Sequence, residues 1–385
     1  MSRQVAALLV RRSLGMVGNT GSRRRILFQI LLITLSLSAL VFALIFVTSM
    51  SDAIANKYAL INSGHLLVHD RPFPSRDSYD SYLVGTTYGL IYSKDTTELV
   101  FLKGVEEHYL EGKRKDELTI LEESGESTTL MKVMISKTLA RTLNAHTGEN
   151  LALMIGTEEK ARPTLVRIGA IYDSGYKELD EILVFTDLSS LVRLGRESVS
   201  FHHEVLVEMH RIEEVRDRLI HEGYRVSTWS EEAPQIASNL VTSKEVTFII
   251  ISIIGLLLGY ATSELARQMV EDDKRQITLL LLLGARKKML AYSYLLSVLI
   301  VTIIALILGI SGGILLSYGV PKVLPLIEKR SFTILSFYLL RFSIAIPIKR
   351  ILILGALVIF SSTATVFFSL RRALRKQTIT SLTFD

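Results

Sequence analysis

Residues 26–48 read ILFQILLITLSLSALVFALIFVT, a run without a charged side chain, closed in front by Arg23, Arg24 and Arg25. At about 1.5 Å of rise per residue, such a helix spans a hydrocarbon core of roughly 30 Å. Three further uncharged runs follow, at 246–263, 289–320 and 351–370. One such run could be the buried helix of a soluble core. Four with basic flanks read as four transmembrane helices. The first run is expected to stay in place and not be cleaved. It is long for a signal peptide, and Phe46-Val47-Thr48-Ser49-Met50 lacks the paired small residues of a cleavage site.

The composition agrees with a membrane protein that also folds a domain in water. Of 385 residues, 49% are hydrophobic and 21% charged, and the mean hydropathy is +0.36. With no cysteine, a water-exposed domain must rely on an apolar core without disulfides, and there is no lipid-acceptor Cys. The net charge of +6 needs no nucleic-acid partner, because it is segregated along the chain. Lys and Arg outnumber Asp and Glu six to none over 1–25, six to four over 264–288 and four to one over 371–385. Residues 49–245 carry 22 basic and 32 acidic side chains. The positive-inside rule therefore predicts cytoplasmic termini and an outer domain at 49–245. The expected order is a cytoplasmic segment 1–25, span 26–48, outer domain 49–245, span 246–263 and cytoplasmic loop 264–288. Span 289–320, a short outer loop 321–350, span 351–370 and a cytoplasmic tail 371–385 complete it. The fold class is membrane α-helical, with a large α+β extracytoplasmic domain inserted between the first and second spans.

Within that domain, alternation predicts strands at 65–68, 99–103, 132–136, 151–155, 165–171, 182–186, 204–209 and 225–228. Helices are expected at 137–144, 188–194 and 212–221. Asp70–Tyr82, with Pro72 and Pro74, and the polar stretch Glu122–Thr129 read as exposed loops. In the small outer loop, Phe342–Ile348 alternates as a strand that could pair with Ser336–Leu340.

No catalytic pattern stands out. There is no G-x-x-x-x-G-K-[S/T] phosphate loop, so ATP hydrolysis is not expected on this chain. No G-x-S-x-G elbow occurs. His202, His203 and His210 near Glu204 match no helical metal motif and read as solvated strand-edge histidines. Acid pairs such as Glu106-Glu107 and Asp272-Asp273 are neighbours that share no helix face. Catalytic, cofactor and metal residues are thus none. Ion-pathway carboxylates are missing from the four runs as well. Thr34, Ser36 and Ser38, and Gly309, Gly312 and Gly313, read first as helix-packing residues. Thr34 and Ser38 have a second reading, as a seam along which a bulky amphiphile slides.

The loop between the second and third spans carries more information. It runs from Glu271-Asp272-Asp273-Lys274-Arg275 through Ile277, Leu280, Leu283, Gly284 and Ala285 to Arg286-Lys287-Lys288. Acids at its start and bases at its end suit a helix dipole, and Ile277, Leu280, Leu281 and Gly284 share a face. This order resembles the coupling helix of the FtsX-like permease superfamily, the membrane subunits of type VII ABC transporters. Further segments are similar to the lipoprotein-releasing, Lol-type permeases. They are Leu8–Arg25, Ile61-Asn62-Ser63-Gly64-His65-Leu66, Leu102-Lys103-Gly104-Val105-Glu106, Ile135–Ala140 with Thr147–Leu151, Val226-Ser227-Thr228-Trp229-Ser230, Arg371–Arg375 and Ile379–Leu382. Lys103 stands where that family more often has Arg.

The resemblance implies a non-catalytic subunit in the bacterial inner membrane, acting by mechanotransmission. Its partners would be a pair of ABC ATPase subunits holding ATP and Mg, a second similar or identical permease, membrane lipids, a lipoprotein substrate and a periplasmic carrier. Asp272, Arg275, Ile277, Leu280, Leu283, Gly284 and Ala285 would engage the ATPase. The family's carrier-docking hook corresponds to Gly156–Thr164, which is short for a hook. A signal transmitter acting on a cell-wall hydrolase, or an exporter of another amphiphile, are the alternatives.

Overall fold

A computed structural model describes residues 20–69, 73, 79–93, 96–125, 128–155, 163–272, 277–279, 282, 287–327 and 344–380. The chain divides into two compact units, one of residues 1–52 and 241–385, the other Ala53–Leu240.

The first unit is built from long helices. Helix α1 spans Thr20–Tyr58 and continues past the uncharged run that starts it. Four helical segments are long and apolar enough to cross a membrane: Ile30–Ser63, Pro234–Thr262, Lys288–Gly319 and Ile348–Ser369. Their interior includes Leu37, Val41, Leu44 and Ile45 from the first, Ile251 from the second, and Ile351, Leu354 and Val358 from the last. The small outer loop differs from expectation where it is described. Residues 344–347 form no strand, and Pro347 leads straight into a helix at Ile348. Proline lacks the N–H a ladder needs and suits a helix start. Residues 328–343, with Ser336–Leu340 and the start of the alternating stretch, lie outside the described residues.

The second unit is dominated by β-structure. Its strands are β1 (Leu66–Val68), β2 (Asp80–Tyr92), β3 (Thr97–Val105), β4 (Thr119–Glu123), β5 (Met131–Ser136), β6 (Asn150–Ile155), β7 (Thr164–Asp173), β8 (Leu183–Asp187), β9 (Ser200–Leu206) and β10 (Val226–Thr228). The sheet order is β10-β1-β9-β2-β3-β8-β5-β7-β4, with β6 pairing both β2 and β7. That double pairing closes a ring, β2-β3-β8-β5-β7-β6. Alternate side chains fill it: Ile91 from β2, Val100 and Leu102 from β3, Val133 from β5, Leu153 from β6, Ile168 from β7 and Val184 from β8. Short helices α2 (Lys137–Thr142), α3 (Lys177–Asp180), α4 (Leu188–Gly195) and α5 (Ile212–His221) lie between strands, and α6 (Trp229–Glu232) follows β10. Helix α7 then runs unbroken over Pro234–Asp272. Helices α8 (Lys287–Ile327) and α9 (Ile348–Thr380) complete the chain.

Two expected loops are partly strand. Asp80–Tyr82 opens β2, and Glu122 and Glu123 end β4. Phe73, in the same expected loop, is buried against His203 and Tyr224. Strand β2 was not legible because Gly85 and Gly89 look like breakers. In the fold they mark close approach: a Cβ at Gly85 would lie 2.9 Å from Leu188 and Val199, and one at Gly89 2.9 Å from Leu102.

Candidate functional site

The first helix ends inside the second unit, which begins at Ala53, and its end supplies the backbone of a buried cluster. Tyr58 closes α1, and Ala59–Ser63 make a single π turn. The last carbonyls of a helix have no partner within it and carry the negative end of its dipole. Two buried cations take up that role. Lys103 Nζ on β3 donates to the carbonyls of Ile61 at 2.9 Å and Asn62 at 2.7 Å. Arg114 Nε, from the 3-10 turn Gly112–Arg114, donates to the Leu60 carbonyl at 2.7 Å.

One carboxylate holds both cations. Glu204 on β9 lies 2.6 Å from Lys103 Nζ through Oε1. Through Oε2 it accepts hydrogen bonds from Arg114 Nη2 and the Tyr109 hydroxyl, each at 2.7 Å. Lys103 and Glu204 are 0% exposed and Arg114 is 1% exposed. The Arg114 guanidinium also lies 3.8 Å from the Tyr109 ring centre and 4.6 Å from that of Tyr82. Burial by itself would push the Glu204 carboxyl up. Lys103, a hydrogen bond from His202 and Arg114 outweigh it and hold the group at about 2. Burial likewise lowers Lys103 to about 8, against the pull of Glu204. Removing one partner of such a set leaves buried charge uncompensated and costs on the order of 3–5 kcal/mol.

The expected strand-edge histidines must be revised. Strand β9 is paired on both sides, by β1 and β2, so His202 is buried and Glu204 fully so. The alternation marked a strand, but it runs over Ser200–Leu206 and not 204–209, and its covered positions bury His202 and Glu204 while Ser200 stays exposed. His210 does lie at the surface, beside Glu208. Among the described residues no group of three His, Cys, Asp or Glu side chains could hold a metal.

Segments far apart in sequence meet here. In Ile61–Leu66, Gly64 has φ of +71°, and a Cβ there would lie 2.8 Å from the Glu204 Cβ. His65 sits with Nε2 3.0 Å from Asn56 Oδ1 on α1, and its Nδ1 accepts the Val207 N–H at 3.4 Å. Burial first, then Arg114 and Lys113, lowers His65 to about 4, which keeps the ring neutral. The Trp229 backbone N–H donates to the His65 carbonyl at 3.2 Å, and the Trp229 ring lies 6.3 Å from that of Tyr58. Thr228 and Glu231 form a reciprocal cap on α6. Each segment was visible in the sequence. Arg114, Tyr109 and Glu204 were not, because nothing in their local pattern announces a shared centre.

The helical unit has its own close contacts. Ser38 Oγ donates to the Gly309 carbonyl at 3.0 Å, and Gly309, Gly312 and Gly313 face Leu37, Ser38 and Val41. Ser38 is therefore in a helix–helix contact. Thr34 is half-buried, and its hydroxyl has no partner among the described residues. A second seam was missed. Gly255 and Gly259 of α7 face Leu354 and Ser361 of α9, and Ser361 Oγ donates to the Leu256 carbonyl at 2.8 Å. Thr262, Ser362 and Thr302 join α7, α9 and α8 through hydroxyls, at 2.6 Å and 3.2 Å. Near one end, Asp52 pairs with Lys244 and Glu245 with Arg350.

Of the loop residues expected to engage an ATPase, Asp272 ends α7 and Ile277 is buried. Arg275, Leu280, Leu283, Gly284 and Ala285 lie outside the described residues, as do residues 156–162 of the hairpin link.

Residues 246–378 match the family model of the FtsX-like permease C-terminal domain. The chain is 23% identical over 206 residues to proteins named lipoprotein-releasing system transmembrane protein LolC, from two strains of Xylella fastidiosa. Those matches cover 51% of this chain and 50% of each relative, so the chain spans about half the length of the curated relatives it matches. Among solved structures, the extracellular domain of the noncanonic ABC-type transporter YknZ from Gram-positive bacteria is 11% identical, with a TM-score of 0.27. That match covers 46% of this chain and 87% of YknZ.

Proposed function

We propose that this chain, an FtsX-like permease most like LolC, is the membrane subunit of an ATP-driven ABC transporter that extracts acylated lipoproteins from a bacterial inner membrane. The observation that carries this is the family match over 246–378, which takes in the last three apolar helices and the loop between the second and third. ATP and Mg belong to a separate pair of ATPase subunits, and the loop 264–288 is their docking element. A second permease, similar or identical, completes the assembly. Residues 49–245 face the periplasm and pass the lipoprotein to a carrier. The LolC likeness supports the lipoprotein reading over export of another amphiphile or activation of a cell-wall hydrolase.

Purification in mild detergent, with identification of every co-eluting protein, is the first test. An ABC ATPase is the expected companion, and its absence from repeated preparations would overturn the transporter reading. Within the loop, Leu280→Glu or Gly284→Trp should abolish ATP-driven release while leaving the chain in the membrane. Release at the wild-type rate in both variants would remove the coupling role of the loop.

A further inference from the structure

The buried cluster is placed unlike an ordinary core ion pair. Its cations do not merely face a carboxylate. Five hydrogen bonds or ion pairs run from Lys103 and Arg114, and three of them end on consecutive carbonyls at the end of one helix. The cluster holds two positive groups against one negative. The negative end of the α1 dipole makes up the difference, so the helix end is an electrical member of the cluster. Withdrawing it would strand two buried cations with a single carboxylate.

The surroundings add stiffness in the same place. Gly64 lets the chain turn directly against Glu204, with no room for a side chain between them. The His65 ring ties Asn56 of α1 to Val207, and the Tyr58 ring packs near Trp229. Helix α1 is continuous from Thr20 to Tyr58 and leads directly into the π turn that carries these carbonyls.

We infer that Lys103, Arg114 and Glu204 are positioning residues that weld the end of the first membrane helix to strands β3 and β9, making this joint one that bears load. The load-bearing part rests on the transporter reading above; the weld itself does not. A latch of side chains at the surface would let the helix end slip under load. A cluster that includes the helix's own carbonyls cannot open without losing several charge-assisted bonds together.

The test uses the full-length chain with its co-purifying ATPase in nanodiscs, and two substitutions of one residue. Lys103→Met removes the bonds to Ile61 and Asn62 and leaves Glu204 neutralised by Arg114. Lys103→Arg keeps a cation. Hydrogen exchange is read over residues 59–66 and 226–233, and release is followed with a triacylated reporter lipoprotein. For K103M, exchange in both segments should accelerate by roughly tenfold or more. ATP hydrolysis should continue while reporter release is lost, and K103R should restore slow exchange and release. Wild-type exchange rates in K103M overturn the weld, whatever the reporter does. Accelerated exchange with undiminished release overturns its load-bearing role. If wild-type protein binds an ATPase but releases no reporter, the substrate reading fails, and the exchange comparison still decides the weld. A K103M chain that cannot be purified is replaced by Glu204→Gln, which keeps the shape and removes the charge, with the same criteria.

Discussion

Gly64 is where a single atom matters most. Its backbone has φ of +71°, and the nearest neighbour of an added Cβ is the Glu204 Cβ at 2.8 Å. Gly64→Ala therefore combines backbone strain with a clash against a buried ionic residue. It should cost about 2–4 kcal/mol. The chain holds one tryptophan, Trp229, and it lies at this joint. Its fluorescence during thermal unfolding in detergent is the natural readout, and an unchanged midpoint in the variant would contradict the close approach. His65 gives a second expectation. Its proton affinity is lower in the folded chain, about 4 against an ordinary 6.5. Between those values the unfolded chain binds more protons, so stability contributed by His65 is full above about pH 6.5 and is lost as pH falls towards 4. Asp180, raised by burial to about 6, acts in the opposite direction over pH 6 to 4. Comparing wild type with His65→Gln isolates the histidine: the variant should be less stable at pH 7.5 and lose less stability on acidification. A parallel pH profile would show that His65 is not neutral in the fold.

At the scale of elements, glycine decides how helices and strands meet. The α7 pair Gly255 and Gly259 admits α9, and the α8 set Gly309, Gly312 and Gly313 admits α1. In lipid, association depends on such close packing and on interhelical hydrogen bonds, since apolar burial gains nothing there. Gly259→Leu would place its side chain against Ser361 and the backbone of Ser362. It should lower the thermal midpoint in detergent by several degrees, whereas Thr262→Val, losing one hydroxyl link to Ser362, should cost only about 0.6–1.7 kcal/mol. Equal effects would mean the hydroxyls, not the glycine seam, hold these helices. The glycines of the third apolar run were legible as a packing surface. Those of α7 were passed over, and β2 was missed for a related reason. A glycine can mark a turn, a bulge or a close neighbour, and only the neighbour tells which.

For the whole molecule, orientation is the property most open to test. Charge segregation predicts residues 49–245 outside and the tail inside. With no native cysteine, single substitutions report without background. Ile182→Cys, at an exposed position before β8, should react with a membrane-impermeant maleimide on intact spheroplasts. Thr383→Cys should react only after permeabilisation. The reverse pattern would invert the molecule and remove the periplasmic role proposed for the outer unit.

The amino-acid sequence alone determined that the chain crosses a membrane. Twenty or so uncharged residues have no stable place in water, so the signal is local and one-dimensional. It also carried the segments Ile61–Leu66, Leu102–Glu106 and Val226–Ser230 as separate pieces of a family pattern. Tertiary structure decided where those pieces meet. Ring closure by β6 depends on which strands pair, and pairing is set by contacts between residues far apart in the chain. Whether Glu204 is solvated or buried turns on the same fact. A polar residue on an alternating strand faces water if its face of the sheet is open, and needs charged partners if that face is covered. Here β1 and β2 flank β9, and the cations that make burial tolerable come from positions 103 and 114.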